Sequence, residues 1–315
     1  MPSLFGRNAK LYGFIPLCCV LLQPVAAASL SLQQQQVPAG LEFSYQREQK
    51  TLLNFVLDPA NLPAQNGGVR RYSPALAQAF IRQQLLEAGV KLAQQGVRLQ
   101  LSAPAQPLSF QLSGPTDQVN KAQQQLQQLQ QQAYQQYLQQ GQFYRLTTPQ
   151  GASYIIPDHV AVLEQQLALL KPVANAFIVL YGQNNVRKIA SQVALWIQQI
   201  PYQDLSDRRE SAGTGFASPW QLLQQHRGDC DSKAVLFAGV MRHIFPTMKL
   251  AILYFPDHAV IAAQIPAIKD ELTVSIEDKV LLVIDATGPA ENAIGTLAKP
   301  YILYLHNRQF NYRLF

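Results

Sequence analysis

The chain has 315 residues, 48% of them apolar and 14% charged, and carries a formal net charge of +6. That charge is small and scattered, and no basic run is interleaved with aromatic residues, so nucleic acid is set aside as a partner. The apolar share supports packed cores, while glutamine takes over much of the polar surface. Residues Met1 to Ala28 have the layout of a secretory signal peptide, with Arg7 and Lys10 in front, an apolar run from Leu11 to Leu22, and Ala26, Ala27 and Ala28 behind. Cleavage after Ala28 removes Cys18 and Cys19 and exports a chain with Cys230 as its one thiol. The expected location is periplasmic or secreted, where thiols tend to oxidise. Neither Cys18 nor Cys19 follows the small residues of a lipoprotein signal. Beyond the signal the longest apolar stretch, Val173 to Tyr181, is far short of the roughly 20 residues a membrane helix needs, so no integral span is expected.

From Leu41 to Leu57 the alternation of Leu41, Phe43 and Tyr45, then Leu53, Phe55 and Leu57, predicts extended structure interrupted by Gln46 to Lys50. Ser73 as cap and Pro74 in the first turn start a helix carrying Leu76, Phe80, Ile81, Leu85 and Leu92 up to Gly96. Two short alternating runs, Val97 to Leu101 and Leu108 to Leu112, read as a hairpin. After Gly114-Pro115 a glutamine-dominated segment from Asp117 to Gln140 places Val119, Ala122, Leu126, Leu129 and Ala133 at helical spacing. This helix is expected to pack on its own small sheet, with a partner-binding role as the alternative. Pro149 to Pro157 reads as a turn-rich link, and a helix runs from Val160 to Leu170 before Pro172. The expected division is a signal peptide over 1–28, an N-terminal α+β domain over 29–171, and a second domain over 172–315.

In the second part, Val186 to Ile200 is a helix with Ile189, Val193, Trp196 and Ile197 on one face. A polar loop follows from Ser206 to Ala217, and Ser218-Pro219-Trp220 starts a short helix. Strands are legible at Leu250 to Phe255, His258 to Ile265, Leu272 to Ile276 and Val280 to Asp285. Helices followed by an antiparallel sheet make the chain α+β.

Between the short helix and the strands lies His226-Arg227-Gly228-Asp229-Cys230-Asp231-Ser232-Lys233. Gly228 and the acidic pair form a loop, and Ser232 to Arg242 reads as a helix that Cys230 opens. At a helix start, free backbone N–H groups and the positive end of the dipole favour a thiolate and can bind an oxyanion. Asp229 and Asp231 oppose that charge, and Lys233 or Arg227 is needed to offset them. A thiol nucleophile needs an imidazole to move its proton and a group to orient the imidazole. His258, opening one strand, and Asp285, ending another, supply both. His226, four residues before the thiol, competes as base; His243, at the far end of the helix, reads as structural. Asp285 reads equally as an Asx-type cap on the Ala286-Thr287-Gly288-Pro289 turn. Asp229, Asp231 and Asp257 could gather calcium, but three carboxylates fall short of a full shell, and no metal or cofactor is assigned. Arg227-Gly228-Asp229 spells an adhesion tripeptide, better explained as a turn feeding the cysteine.

Over roughly Gln183 to Pro289 the chain resembles the transglutaminase-like (papain-like) superfamily of thiol enzymes, in particular its bacterial exported members. The resemblance is carried by Ile200-Pro201-Tyr202 after a Trp-containing helix, Trp220 with Leu222 and Leu223, Gly228-Asp229-Cys230-Asp231, His258-Ala259-Val260, and Ile284-Asp285-Ala286-Thr287. It implies a cysteine-bearing helix packed on an antiparallel sheet, preceded by a small α+β domain. It implies Cys230 as nucleophile, His258 as base and acid, and Asp285 as orienter, with Trp220 or Tyr202 as oxyanion donor. The reaction implied is acyl transfer through a thioester on a protein or peptide substrate. The expected activity is that of a cysteine peptidase or amidase. Crosslinking transamidation is one alternative; a non-catalytic binding or assembly factor, with a partner held by the N-terminal domain, is the other. The short interval from Cys230 to His258 points away from the calcium regulation of the crosslinking animal enzymes.

Overall fold

The computed structural model describes residues 30–47, 50–63, 69–205 and 215–315. The expected signal peptide and most of the polar loop after Ser206 lie outside the described residues. The fold is mixed α+β with antiparallel sheets.

The first sheet has the order β1 (Ser31–Val37), β2 (Gly40–Arg47), β3 (Lys50–Leu57). Alternation along β2 and β3 turns Phe43, Tyr45, Leu53, Phe55 and Leu57 to one buried face. β1 carries Gln33 to Gln36 and is a strand through its pairing with β2, from Ser31 opposite Gln46 to Val37 opposite Gly40. Gly40 has φ +139°, and a Cβ there would stand 2.1 Å from the Leu57 carbonyl oxygen, so no side chain fits the β1–β2 turn.

Next come α1 (Pro74–Gln94), the hairpin β4 (Arg98–Leu101) and β5 (Phe110–Ser113), and α2 (Thr116–Gln140). The Ser73 side chain accepts the Leu76 N–H at the start of α1, and Pro74 occupies the first turn. Ile81, Leu85 and Leu92 of α1 close a small core with Val97 and with Ala122, Leu126 and Ala133 of α2. The glutamine-rich helix thus spends its apolar stripe inside the chain. The segment expected as a turn-rich link is instead the second strand of a hairpin, β6 (Phe143–Thr147) with β7 (Ser153–Pro157).

The helices α3 (His159–Gln166), α4 (Lys171–Tyr181), α5 (Val186–Gln198), α6 (Pro219–Gln225) and α7 (Cys230–Ile244) lead into the last sheet. Its strands are β8 (Leu250–Tyr254), β9 (Ala259–Ala263), β10 (Thr273–Ile276), β11 (Lys279–Ile284) and, after α8 (Lys299–His306), β12 (Asn311–Leu314). Their spatial order is β10-β11-β9-β8-β12, and every neighbouring pair is antiparallel. β8 and β9 are buried on both faces, which is why they read as continuous apolar runs. One face, with Ile252 and Ile261, meets α7; the other, with Leu253 and Val260, belongs to a core that includes Leu305 of α8.

The main core crosses the sequence position expected to separate domains. Phe43, Tyr45 and Phe55 of the first sheet share it with Phe177 of α4, Trp196 of α5 and Phe237 of α7. Each such side chain contributes about 1.5–3 kcal/mol on burial, so the first sheet and the cysteine helix are anchored in one interior. Among the described residues no helix is long and apolar enough to cross a membrane.

Candidate active site

Cys230 is the first residue of α7, and Asp229 is its cap, accepting the Ser232 N–H. The approach is fixed by Gly228, whose N–H bonds the Pro201 carbonyl at 3.2 Å and which bridges to Tyr202. A Cβ on Gly228 would stand 2.8 Å from a Leu222 methyl, so the loop needs glycine to pass under α6. The backbone N–H groups of Ala259, at the start of β9, and of Asp231 act to lower the Cys230 thiol. Those donors do not prevail. Burial, then Asp231, then Asp229 push the thiol well above its ordinary range, so the resting group is a neutral thiol. The flanking carboxylates and desolvation thus outweigh the amides, a balance that the sequence leaves open.

His258 directly precedes β9 and Asp285 directly follows β11, and these strands are hydrogen-bonded neighbours. The pairing brings His258 Nε2 to 3.1 Å from Asp285 Oδ2. Asp285 thus engages Nε2 and not Nδ1. The second carboxylate oxygen, Oδ1, accepts the Thr287 N–H at 3.0 Å, so Asp285 is at once an Asx-type cap and the partner of the imidazole. Burial alone would raise this carboxyl. The hydrogen bond and charge of His258, with the Thr287 N–H, outweigh burial and hold it below the usual carboxylate range. Behind Asp285, the buried Gln198 donates to its backbone carbonyl at 2.6 Å and ties the turn to the end of α5. Tyr301 of α8 stacks on the His258 ring with centroids 4.5 Å apart. Sequence patterning offered no sign of this contact, since α8 itself was not foreseen.

Lys233, one turn into α7, is fully buried. Its Nζ donates to the carbonyls of Ile200, at 2.6 Å, and of Thr287, linking the cysteine helix to the end of α5 and to the turn after Asp285. Burial lowers it to about 8 against the raising influence of Asp285, Asp229 and Cys230. The side chain invoked to offset the acidic pair is thus a buried strut beneath them.

A second histidine bonds the carboxylate that follows the thiol. His159, the first residue of α3, is 1% exposed and places Nε2 2.9 Å from Asp231 Oδ2 and Nδ1 2.7 Å from the Tyr254 hydroxyl. Asp229 is hydrogen-bonded to Asp231 and to Ser232, and burial followed by Asp231 raises it to about 9. Burial also raises Asp231, to about 6. At neutral pH the two carboxyls share one proton.

The remaining candidates fall elsewhere. Tyr202 is half exposed and pairs with Gly228; burial, then Cys230 and Asp229, raise its hydroxyl to about 12. Trp220 opens α6 with its backbone N–H on Gln166 Oε1 at 2.9 Å. His226, the other candidate base, caps α6 with φ +52° and packs its ring against Tyr45, 5.5 Å between centroids, with Nε2 buried and not hydrogen-bonded among the described residues. His243 bonds the Leu167 carbonyl at 2.5 Å from the last turn of α7. Asp229 and Asp231 direct oxygens to Ser232 and His159, and among the described residues no group of three His, Cys, Asp or Glu is arranged to hold a metal ion. Asp229 is 6% exposed, which removes the adhesion tripeptide from the surface. Comparison with known proteins returned no matching family model and no matching curated protein.

Proposed function

We propose that this chain is an exported thiol acyl-transfer enzyme of transglutaminase-like type, acting as a cysteine peptidase or amidase on a protein or peptide. The observation that carries the reading is the His258–Asp285 pair at 3.1 Å, set at the ends of β9 and β11, neighbouring strands of the sheet on which the cysteine helix α7 packs. Asp285 fixes the imidazole with its proton on Nε2, so Nδ1 is the basic nitrogen. Because the resting thiol is neutral, Sγ gives its proton to Nδ1 as the sulfur attacks the carbonyl carbon. The negative charge forms on the carbonyl oxygen, where the Cys230 backbone N–H and the Tyr202 hydroxyl are candidate donors. Return of the proton from His258 to the leaving amine breaks the C–N bond and leaves a thioester. Water, giving its proton to the same nitrogen, then releases the acid and restores the thiol.

The test is Cys230→Ala in the full chain, assayed on a mixed peptide library for new amino termini and with iodoacetamide for thiol labelling. The expected result is a folded protein with hydrolysis reduced by at least about 10³-fold and labelling confined to Cys18 and Cys19. Hydrolysis at the original rate in that variant removes the proposal. Incorporation of a primary amine into a glutamine-containing peptide would move the reading to transamidation.

A further inference from the structure

We propose that His159 is a positioning residue for the Cys230 thiol: by donating Nε2–H to Asp231 it holds the neighbouring carboxylate turned into the core and draws its charge away from the sulfur. The inference rests on the reading of Cys230 as the nucleophile.

His159 comes from α3, 71 positions before the cysteine, and nothing in the acyl-transfer scheme uses it. Yet it is bonded at both ring nitrogens and 1% exposed. The donors fix its tautomer. An ionised carboxylate oxygen only accepts, so Nε2, at 2.9 Å from Asp231 Oδ2, carries the hydrogen. Nδ1 then accepts from the Tyr254 hydroxyl at 2.7 Å, a group that burial keeps protonated. Burial holds the imidazole neutral. The ring cannot turn: Phe216 meets it edge-on at 4.6 Å and Tyr254 stacks along it at 5.6 Å. Its helix is anchored by Asp158, which caps α3 through the Ala161 N–H and pairs with Arg313 of β12.

Asp231 follows the nucleophile directly, and its position is fixed from two sides. Oδ2 is held by His159, and Oδ1 accepts the Ser232 N–H at 2.9 Å. An ionised group at this place opposes ionisation of the sulfur, as its effect on Cys230 shows. A hydrogen bond from a neutral imidazole spreads that charge away from the sulfur and prevents the carboxylate from swinging toward it. Removing the donor leaves the same charge closer and less compensated.

The experiment measures the second-order rate of Cys230 alkylation by iodoacetamide at pH 7 in the full chain, with folding checked by the thermal midpoint. His159→Phe is expected to slow alkylation about tenfold, the equivalent of about one unit in the thiol. His159→Gln, which keeps a side-chain N–H within similar reach, should stay within about threefold of the parent. In an Asp231→Asn background, where no charge remains to be drawn away, adding His159→Phe should cost less than about twofold. An unchanged or faster rate in His159→Phe overturns the proposal. So does a rate in His159→Gln as slow as in the Phe variant, or an undiminished Phe effect in the Asn background. If His159→Phe fails to fold, His159→Leu, which also lacks the donor, reads the same line: about tenfold slowing supports it, and a parental rate overturns it. None of these rates depends on hydrolysis. A failure of the acyl-transfer reading shows only in Cys230→Ala.

Discussion

A carboxyl buried beside another carboxyl keeps its proton, and Asp229 is in that position. Its folded value is raised to about 9, while in the unfolded chain it returns to the ordinary carboxylate range. The stability gained by holding the proton is fully present below about pH 4 and is lost as the pH rises through the folded value. Asparagine imitates the protonated form: it still caps α7 toward Ser232, offers an N–H to Asp231, and does not titrate. Asp229→Asn should therefore match the parent in thermal midpoint at pH 5 and exceed it by about 5 °C or more at pH 8. Scanning calorimetry across that range checks it, and a gap that stays flat or closes sinks the shared-proton account. At this scale the sequence was partly legible. Cys230, His258 and Asp285 stand at element boundaries, where a side chain reaches past its own strand or helix, and local pattern marks such places. His159 was silent because its partner lies 72 positions away and its own surroundings read as the start of an ordinary amphipathic helix.

α7 is the element that carries the thiol, and its placement depends on close approach to α3 and the turn into α4. Gly239 marks that approach: a Cβ there would stand 2.3 Å from a Leu170 methyl and 2.7 Å from a Leu163 methyl. In an exposed helix, glycine to alanine gains about 1 kcal/mol. Here two leucine side chains must move, and overpacking of this kind costs about 1–3 kcal/mol. Gly239→Ala should therefore lower the urea midpoint; a raised midpoint would show that the helices have room. The long helices and the apolar strands around α7 are visible in sequence, since their periodicity is set by the core they face. β1 is not, because a run of glutamines becomes a strand only through pairing with β2. α8 and β12 escape for a related reason: β12 is a four-residue edge strand on β8, too short for alternation to register, and α8 is a two-turn helix.

At the scale of the molecule, two interiors respond differently to the same kind of damage. Phe55 belongs to the interior that also holds Trp196, Phe177 and Phe237, whereas Leu85 lies in the smaller core between α1 and α2. Sequence reading joins β2 and β3 to the α1–α2 segment because they are adjacent along the chain. Packing joins them to α4, α5 and α7 because Phe43, Tyr45 and Phe55 have their apolar neighbours there, and the edge-on contact of Tyr45 with Trp196, at 5.3 Å, crosses from one set to the other. Truncating a buried phenylalanine costs about 3–5 kcal/mol and a buried leucine about 2–5 kcal/mol, so the two perturbations are comparable in size. Their reach should differ. Phe55→Ala should lower the protection of α5 and α7 amides against hydrogen exchange and raise the rate at which Cys230 is alkylated through opening. Leu85→Ala should expose α1 and α2 amides while leaving α7 protection within about threefold of the parent. If the leucine variant opens α7 as far as the phenylalanine variant does, the two interiors unfold as one. If the phenylalanine variant leaves α7 untouched, the first sheet is an appendage of the cysteine-bearing core and not part of it.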